Sequence, residues 1–128
     1  MMISHISTVG INVRDPDAAL DFYTGKLGFE VRKKVDTPNF KWYEIAPPNA
    51  ESTLVLVTEG YGVFDADRIG KYTGVSFRTE SIHDLFTTYT ERGVHFTCEP
   101  TLESYGQWFA SFADQDGNEF FVFQPEDE

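Results

Sequence analysis

The feature that most constrains the fold is an internal repeat, in which both halves of the 128-residue chain carry the same pattern. At a shift of 65 positions the repeat pairs Leu20 with Leu85, Gly28 with Gly93, Phe29 with Val94 and Val31 with Phe96. In each half, a strand precedes an amphipathic helix, a glycine stop and three more strands. The pattern predicts one α+β domain of tandem β-α-β-β-β modules, at about residues 5–58 and 72–124 with a linker at 59–71.

Local signals place the elements of the first module. Val9, Ile11 and Val13 alternate with polar or small residues, which predicts a strand with one apolar face. Asp15 is suited to cap a helix that begins at Pro16. The helix carries an apolar stripe that ends before Gly28: Ala19, Leu20, Tyr23 and Leu27. Strands are then predicted at 29–33, Phe40–Ala46 and 53–58.

The second module repeats this order. A strand at 72–79 places Val75 and Phe77 on one face, and Ser81 with Asp84 forms a capping box for the next helix. The apolar stripe of that helix ends before Gly93 and consists of Ile82, Leu85, Phe86 and Tyr89. Strands follow at 94–98, Trp108–Ala113 and Glu119–Gln124, the last two joined by a hairpin turn at 116–118.

Charge narrows the choice of partners. Ten Lys and Arg against 21 Asp and Glu give a net charge of −11 and a pI near 4.5. Such a surface repels phosphate backbones and anionic lipid, so we expect neither a nucleic acid nor a membrane as partner. It attracts cationic small molecules, although an acidic surface also serves solubility alone. Cys98 is the only cysteine, no signal peptide is recognisable, and we expect a cytoplasmic protein.

Three segments resemble the vicinal oxygen chelate superfamily, which includes glyoxalases, extradiol dioxygenases, and fosfomycin and bleomycin resistance proteins. They are VRDPDAALDFYTGKLGFEV at 13–31, ERGVHF at 91–96 and FADQDGNEFFVFQ at 112–124. In the last segment Gln115 replaces the proline of the family's usual Asp-Pro-Asp-Gly motif. The resemblance spans nearly the whole chain and implies sheets curled into a cup with the helices outside. It does not select one function, because this fold hosts many.

Enzymes of this family hold a divalent metal in the cup with His and Glu side chains from four strands. The resemblance places those positions at Thr8, near Val55, at Gly74 and at Phe121, and these residues do not form a chelating set. His5, His83 and His95 lie on three separate elements and form no replacement cluster. We therefore expect no metal and no other cofactor. A site rebuilt from substituted ligands remains the alternative.

Strand parity and the resemblance together indicate a ligand-binding set on the cup side of the strands. Polar members fix the edge of a ligand and aromatic members stack on it, unless the rings simply fill the cup. The predicted set is Thr8, Asn12, Trp42, Ser76, Arg78, Tyr105, Trp108, Glu119, Phe121 and Phe123.

The first functional hypothesis is a metal-free protein that sequesters an aromatic or cationic drug-like molecule in an aromatic cup. The alternative is a lyase, isomerase or dioxygenase-type enzyme with a non-standard or lost metal site, so whether the protein is an enzyme stays open. Glu44, Glu119 and Arg78 are the polar groups to test first in that case. A third hypothesis is a structural or regulatory domain whose cup is filled by its own side chains. The resemblance also implies a homodimer, with modules paired within or between chains.

Overall fold

The computed structural model describes residues 2–125 and divides the chain into two compact units, one up to Ile69 and one from Gly70. The first unit contains β1 (Thr8–Asn12), α1 (Pro16–Asp21), β2 (Glu30–Thr37), β3 (Phe40–Ala46) and β4 (Thr53–Val57). The second contains β5 (Tyr72–Arg78), α2 (Ile82–Glu91), β6 (His95–Leu102), β7 (Trp108–Ala113) and β8 (Glu119–Gln124). A π-helical turn (Phe22–Lys26) follows α1, and a short 3-10 helix (Ala66–Arg68) lies between the two sheets in sequence.

Each unit has one four-stranded mixed sheet with the same topology. The strand orders are β1-β4-β3-β2 and β5-β8-β7-β6. The first strand of each unit pairs in parallel with the last, and the other pairs are antiparallel. The sheets are curled but not closed into barrels. The predicted α+β fold of tandem β-α-β-β-β modules is therefore confirmed.

The start of α1 follows the sequence signal. The carboxylate of Asp15 accepts hydrogen bonds from the backbone N–H groups of Asp17 (2.9 Å) and Ala18 (3.3 Å), two of the donors that a helix start leaves unpaired. The helical segment ends before Gly28, which adopts a φ of +77° that only glycine reaches without strain.

The start of α2 differs from the prediction. Ser81 occupies the N-cap position, but its side chain makes no capping hydrogen bond. The side-chain oxygen of Gln124, at the end of β8, accepts from the backbone N–H of Ile82 at 2.7 Å instead. A residue distant in sequence has thus replaced the local capping box, which ties the helix start directly to the sheet.

Two strands are longer than predicted. β2 continues to Thr37 because it pairs with β3 along its whole length, as far as Thr37 opposite Phe40. β6 continues to Leu102 across two register irregularities, with Pro100 inside the strand. β6 lies at the edge of its sheet, where a proline is tolerated because one side of the strand needs no partner.

The apolar faces pack where the alternation predicts. In the first unit the side chains that alternate toward α1 are buried: Ile11, Val13, Tyr43, Ile45, Leu54 and Leu56. In the second unit α2 covers the equivalent face, where Tyr89 packs edge-on against Phe112 and Phe86 against Phe96. The opposite face of each sheet is left to carry the site.

The hairpin turn between β7 and β8 is confirmed and held by one buried carboxylate. Asp114 accepts hydrogen bonds from the backbone N–H groups of Asp116 and Asn118 and from the Asn118 amide, each at 2.9 Å. Gly117 has a φ of +83°. This turn fixes the register in which β8 returns along β7.

Among the described residues, no helix is long and apolar enough to cross a membrane.

Candidate functional site

Strand register decides which side chains of the second unit share the face opposite α2. Ser76 lies opposite Phe121 and Arg78 opposite Phe123 in the β5–β8 pair. In the β7–β8 pair, Ser111 lies opposite Phe121 and Phe109 opposite Phe123. Because directly paired residues project from the same side of a sheet, these side chains share one face.

Four rings form a contiguous aromatic cluster on that face. Tyr72 and Phe121 are stacked with centroids 4.1 Å apart, and Phe109 contacts Phe121 edge-on at 5.0 Å. Phe109 also lies 5.4 Å from Phe123. Tyr72 is exposed, and Phe109, Phe121 and Phe123 are half-buried. We call these four residues the second-unit cluster.

Three of the predicted polar residues border the second-unit cluster. Glu119 lies opposite Tyr72, and Ser76 and Arg78 follow along β5 beside Phe121 and Phe123. Ser76 and Arg78 are exposed, and Glu119 is half-buried. The face therefore combines an apolar floor with a carboxylate, a hydroxyl and a guanidinium at its margins, which is the composition typical of small-molecule sites.

The first unit carries a second aromatic group on the face opposite α1. The rings of Phe40, Trp42 and Tyr61 are nearly parallel, with Tyr61 5.5 Å from Phe40 and 5.7 Å from Trp42. The hydroxyl of Tyr61 is buried and has no hydrogen-bond partner among residues 2–125, and burial raises its pKa. We call these three residues the first-unit cluster.

A carboxylate lies beside the first-unit cluster. Glu44 accepts a hydrogen bond from the indole N–H of Trp42 at 2.6 Å and another from the Thr53 hydroxyl at 2.9 Å. It is half-buried and lies opposite Val55 in the β3–β4 pair. Val55 is where the family resemblance places a metal ligand, so the carboxylate of this face is on the neighbouring strand.

Four of the predicted ligand-binding residues have other surroundings. The side chain of Asn12 accepts a hydrogen bond from the backbone N–H of Asp65 at 2.9 Å, which anchors the segment after β4. Trp108 alternates with Phe109 and projects toward α2, where its ring meets His83 edge-on at 4.6 Å. Tyr105 is exposed in the loop before β7, and Thr8 is exposed at the start of edge strand β1.

The residues at the family's metal-ligand positions do not fit a chelated metal. Phe121 is stacked on Tyr72, and Gly74 lies in a register irregularity of β5 with a φ of +79°, which disfavours any side chain. Thr8 and Val55 add no carboxylate or imidazole. Nowhere in residues 2–125 do three His, Cys, Asp or Glu side chains converge to hold a metal ion.

Sequence reasoning missed part of both clusters. Tyr72 and Phe109 belong to the second-unit cluster, and Phe40 and Tyr61 to the first. The pairing of Ser111 with Phe121 across the hairpin turn is the signal that would have selected Phe109 instead of Trp108. No comparable signal identifies Tyr61, because it follows β4 in a segment without strand periodicity.

Comparison with known proteins agrees with this fold. A family model described as the Glyoxalase/Bleomycin resistance protein/Dioxygenase superfamily matches residues 3–122. A solved member of that superfamily from Sphaerobacter thermophilus is 37% identical, with a TM-score of 0.85 over 98% of this chain and 100% of that one. TnmS3, an antibiotic binding protein from Streptomyces, is 28% identical, with a TM-score of 0.82 over 98% and 99% of the two chains. The uncharacterized protein YetH of Bacillus subtilis is 32% identical over 94% of this chain and 98% of its own.

The backbone conformation of Gly74 accounts for the absence of a metal-binding side chain at this position, and a substitution can test this explanation. We expect Gly74→His, which restores the family's usual residue, to lower the free energy of unfolding by about 1–2 kcal/mol, because a β-carbon is strained at this φ. Ser76→His, two residues away on the same strand, should change stability by less than about 0.5 kcal/mol. Urea denaturation of both variants measures the difference. Equal stability would contradict the strained backbone.

Proposed function

Because the chain belongs to the Glyoxalase/Bleomycin resistance protein/Dioxygenase superfamily, we propose that it binds a small aromatic molecule and sequesters it without a metal. The observation that carries the proposal is the second-unit cluster, in which an aromatic surface takes the place of a ligand position. Tyr72 is 47% exposed, so part of the aromatic surface of the cluster is accessible to a ligand and not buried in the core.

Stacking explains how such a face can bind a ligand without catalysing a reaction. Each favourable contact between aromatic rings contributes about 0.5–1.5 kcal/mol beyond the burial of apolar area. Several contacts therefore support micromolar affinity once burial is added. Ser76, Arg78 and Glu119 supply polar groups at the margin that orient the ligand, and the net charge of −11 favours a cationic one.

One similar protein supports binding as the function. TnmS3, an antibiotic binding protein, matches nearly the full length of this chain. An aromatic, drug-like molecule is accordingly the ligand class that we propose. The lyase, isomerase or dioxygenase-type alternative requires a reacting group, and Glu44, Glu119 and Arg78 are the residues at which to look for one.

Replacement of one ring tests the proposal. We expect the wild-type chain to bind proflavine, a planar cation, and anthracene-9-carboxylate, a planar anion, and Phe121→Ala to weaken both by about tenfold through lost stacking. Isothermal titration calorimetry measures the affinities. Trp108→Phe is the matched control, because Trp108 packs against His83 on the opposite face and its replacement should leave both affinities unchanged.

Two results would contradict the proposal. If neither dye binds, or if Phe121→Ala and Trp108→Phe behave alike, the second-unit cluster is not a ligand surface. Chromatography and mass spectrometry of the recovered dyes should show them unchanged. A chemically altered dye would favour the enzyme alternative.

We also propose that the protein is a homodimer, as many members of its superfamily are. Val31 and Leu102 are exposed apolar residues on the edge strands β2 and β6, where contact between chains buries apolar surface. Light scattering should give twice the 14.6 kDa mass of one chain. A mass of one chain at all concentrations tested would refute the dimer.

Finally, we propose a cytoplasmic location. The support is a single cysteine, Cys98, which has no second cysteine with which to form an internal disulfide. Fractionation of cells that express the protein should recover it with cytoplasmic markers, and recovery with the membrane fraction would contradict this location.

A further inference from the structure

The geometry points to a subsite for an organic cation on the first unit, in which Glu44 supplies the counter-charge and the first-unit cluster supplies the ring surface. The inference rests on the proposed function, since it assigns to the first unit, taken by itself, a second surface for the same class of planar aromatic ligand and specifies that this ligand is a cation. On strand β3, sequence parity indicated only Trp42, and the structure adds Glu44.

Glu44 carries a charge that its surroundings do not neutralise. Its two hydrogen-bond donors, the Trp42 indole and the Thr53 hydroxyl, are both neutral. Among residues 2–125, none of the ion pairs includes Glu44. The two hydrogen bonds hold this half-buried carboxylate in place, and an approaching cation completes its environment.

The rings beside Glu44 suit the same ligand. The hydrogen bond to Glu44 fixes the orientation of the Trp42 indole, and the Tyr61 ring lies nearly parallel to it, with an interplanar angle of 13°. Aromatic faces attract cations through their quadrupole, most strongly for tryptophan. A planar cation thus gains both from the ring faces and from the carboxylate.

The Tyr61 hydroxyl adds a polar contact for the ligand. It is buried without a partner, and a buried donor is stabilised when it acquires an acceptor. An acceptor atom on the ligand would satisfy this hydroxyl.

Space for a ligand adjoins the cluster. Phe40 and Tyr61 line an open groove of about 360 Å³, within the range typical of small-molecule sites. Lys41, which also lines it, is 2.7 Å from the Asp17 carboxylate. Asp17 also accepts from the Tyr43 hydroxyl at 2.8 Å. The charge of Lys41 is therefore matched within the groove. Glu44 lies outside the groove lining and adjoins it through the stacked rings of Trp42 and Tyr61.

Charge-neutral replacement of Glu44 tests the subsite. Glu44→Gln keeps an oxygen that accepts from Trp42 but removes the charge, and we expect it to weaken proflavine binding at the first-unit subsite about tenfold, a change that titration in the Phe121→Ala background isolates from binding at the second-unit cluster. Binding of anthracene-9-carboxylate should not weaken. The control is Glu51→Gln, which removes an exposed charge before β4 and gives the same net charge of −10 (−11 + 1). It should leave both affinities unchanged.

A second variant separates charge from shape. Glu44→Asp keeps the carboxylate and should retain more proflavine affinity than Glu44→Gln, with circular dichroism showing that both variants are folded. The subsite is overturned if Glu44→Gln matches Glu51→Gln, or if Glu44→Asp loses as much affinity as Glu44→Gln.

The two proposals fail in different ways. If Phe121→Ala weakens binding of both dyes and Glu44→Gln weakens neither, the proposed function stands and the cation subsite is wrong. If wild-type protein binds anthracene-9-carboxylate but not proflavine, the subsite is likewise overturned while aromatic binding is retained. If it binds neither dye, both proposals fail.

Discussion

The pairing of β8 with both β5 and β7 is the constraint on which the site depends. This strand places Phe121 and Phe123 on one face, beside Ser76 and Arg78 on one neighbour and Ser111 and Phe109 on the other. A shift of one residue would turn those rings toward α2 and bring Phe120 and Val122, now fully buried, to the site face. The turn held by Asp114 fixes that register, so a structural carboxylate determines where the aromatic side chains lie.

The same pairing shows why the residues at two of the family's metal-ligand positions do not fit a chelated metal. Phe121 stands at a family ligand position and is stacked on Tyr72, while Gly74 reaches its conformation only because it lacks a side chain. A chelating set would require polar residues at both positions and a β5 backbone without the positive φ of Gly74. The aromatic face is thus a coherent alternative to the metal site, and it is compatible with binding as a function in its own right.

Much of the fold could be predicted because its signals are local. The bounds of β3, β7 and β8, and the Asp15 cap, follow from alternation, turn residues and capping preference. The full lengths of β2 and β6 come from their partners, and the start of α2 from Gln124, so local patterns do not contain them.

The candidate site was harder to predict than the fold. Parity identified Phe121 and Phe123, but placing Trp108 required the register across a hairpin. The surroundings of Glu44 required the pairing of β3 with β4. Side chains that meet across strands depend on tertiary pairing, which a single sequence specifies only indirectly. Sites of this kind are therefore found by combining parity with register.

The central claim, that aromatic contact has replaced metal chelation in this chain, is tested most directly by its metal content. Untagged protein would be incubated with Ni²⁺, Zn²⁺, Mn²⁺ and Fe²⁺ in turn, desalted, and analysed by inductively coupled plasma mass spectrometry. We predict less than about a tenth of an equivalent of each metal per chain, because no set of side chains meets the ligand requirements of these ions. Retention of close to one equivalent would contradict the claim and favour an enzyme with a rebuilt metal site.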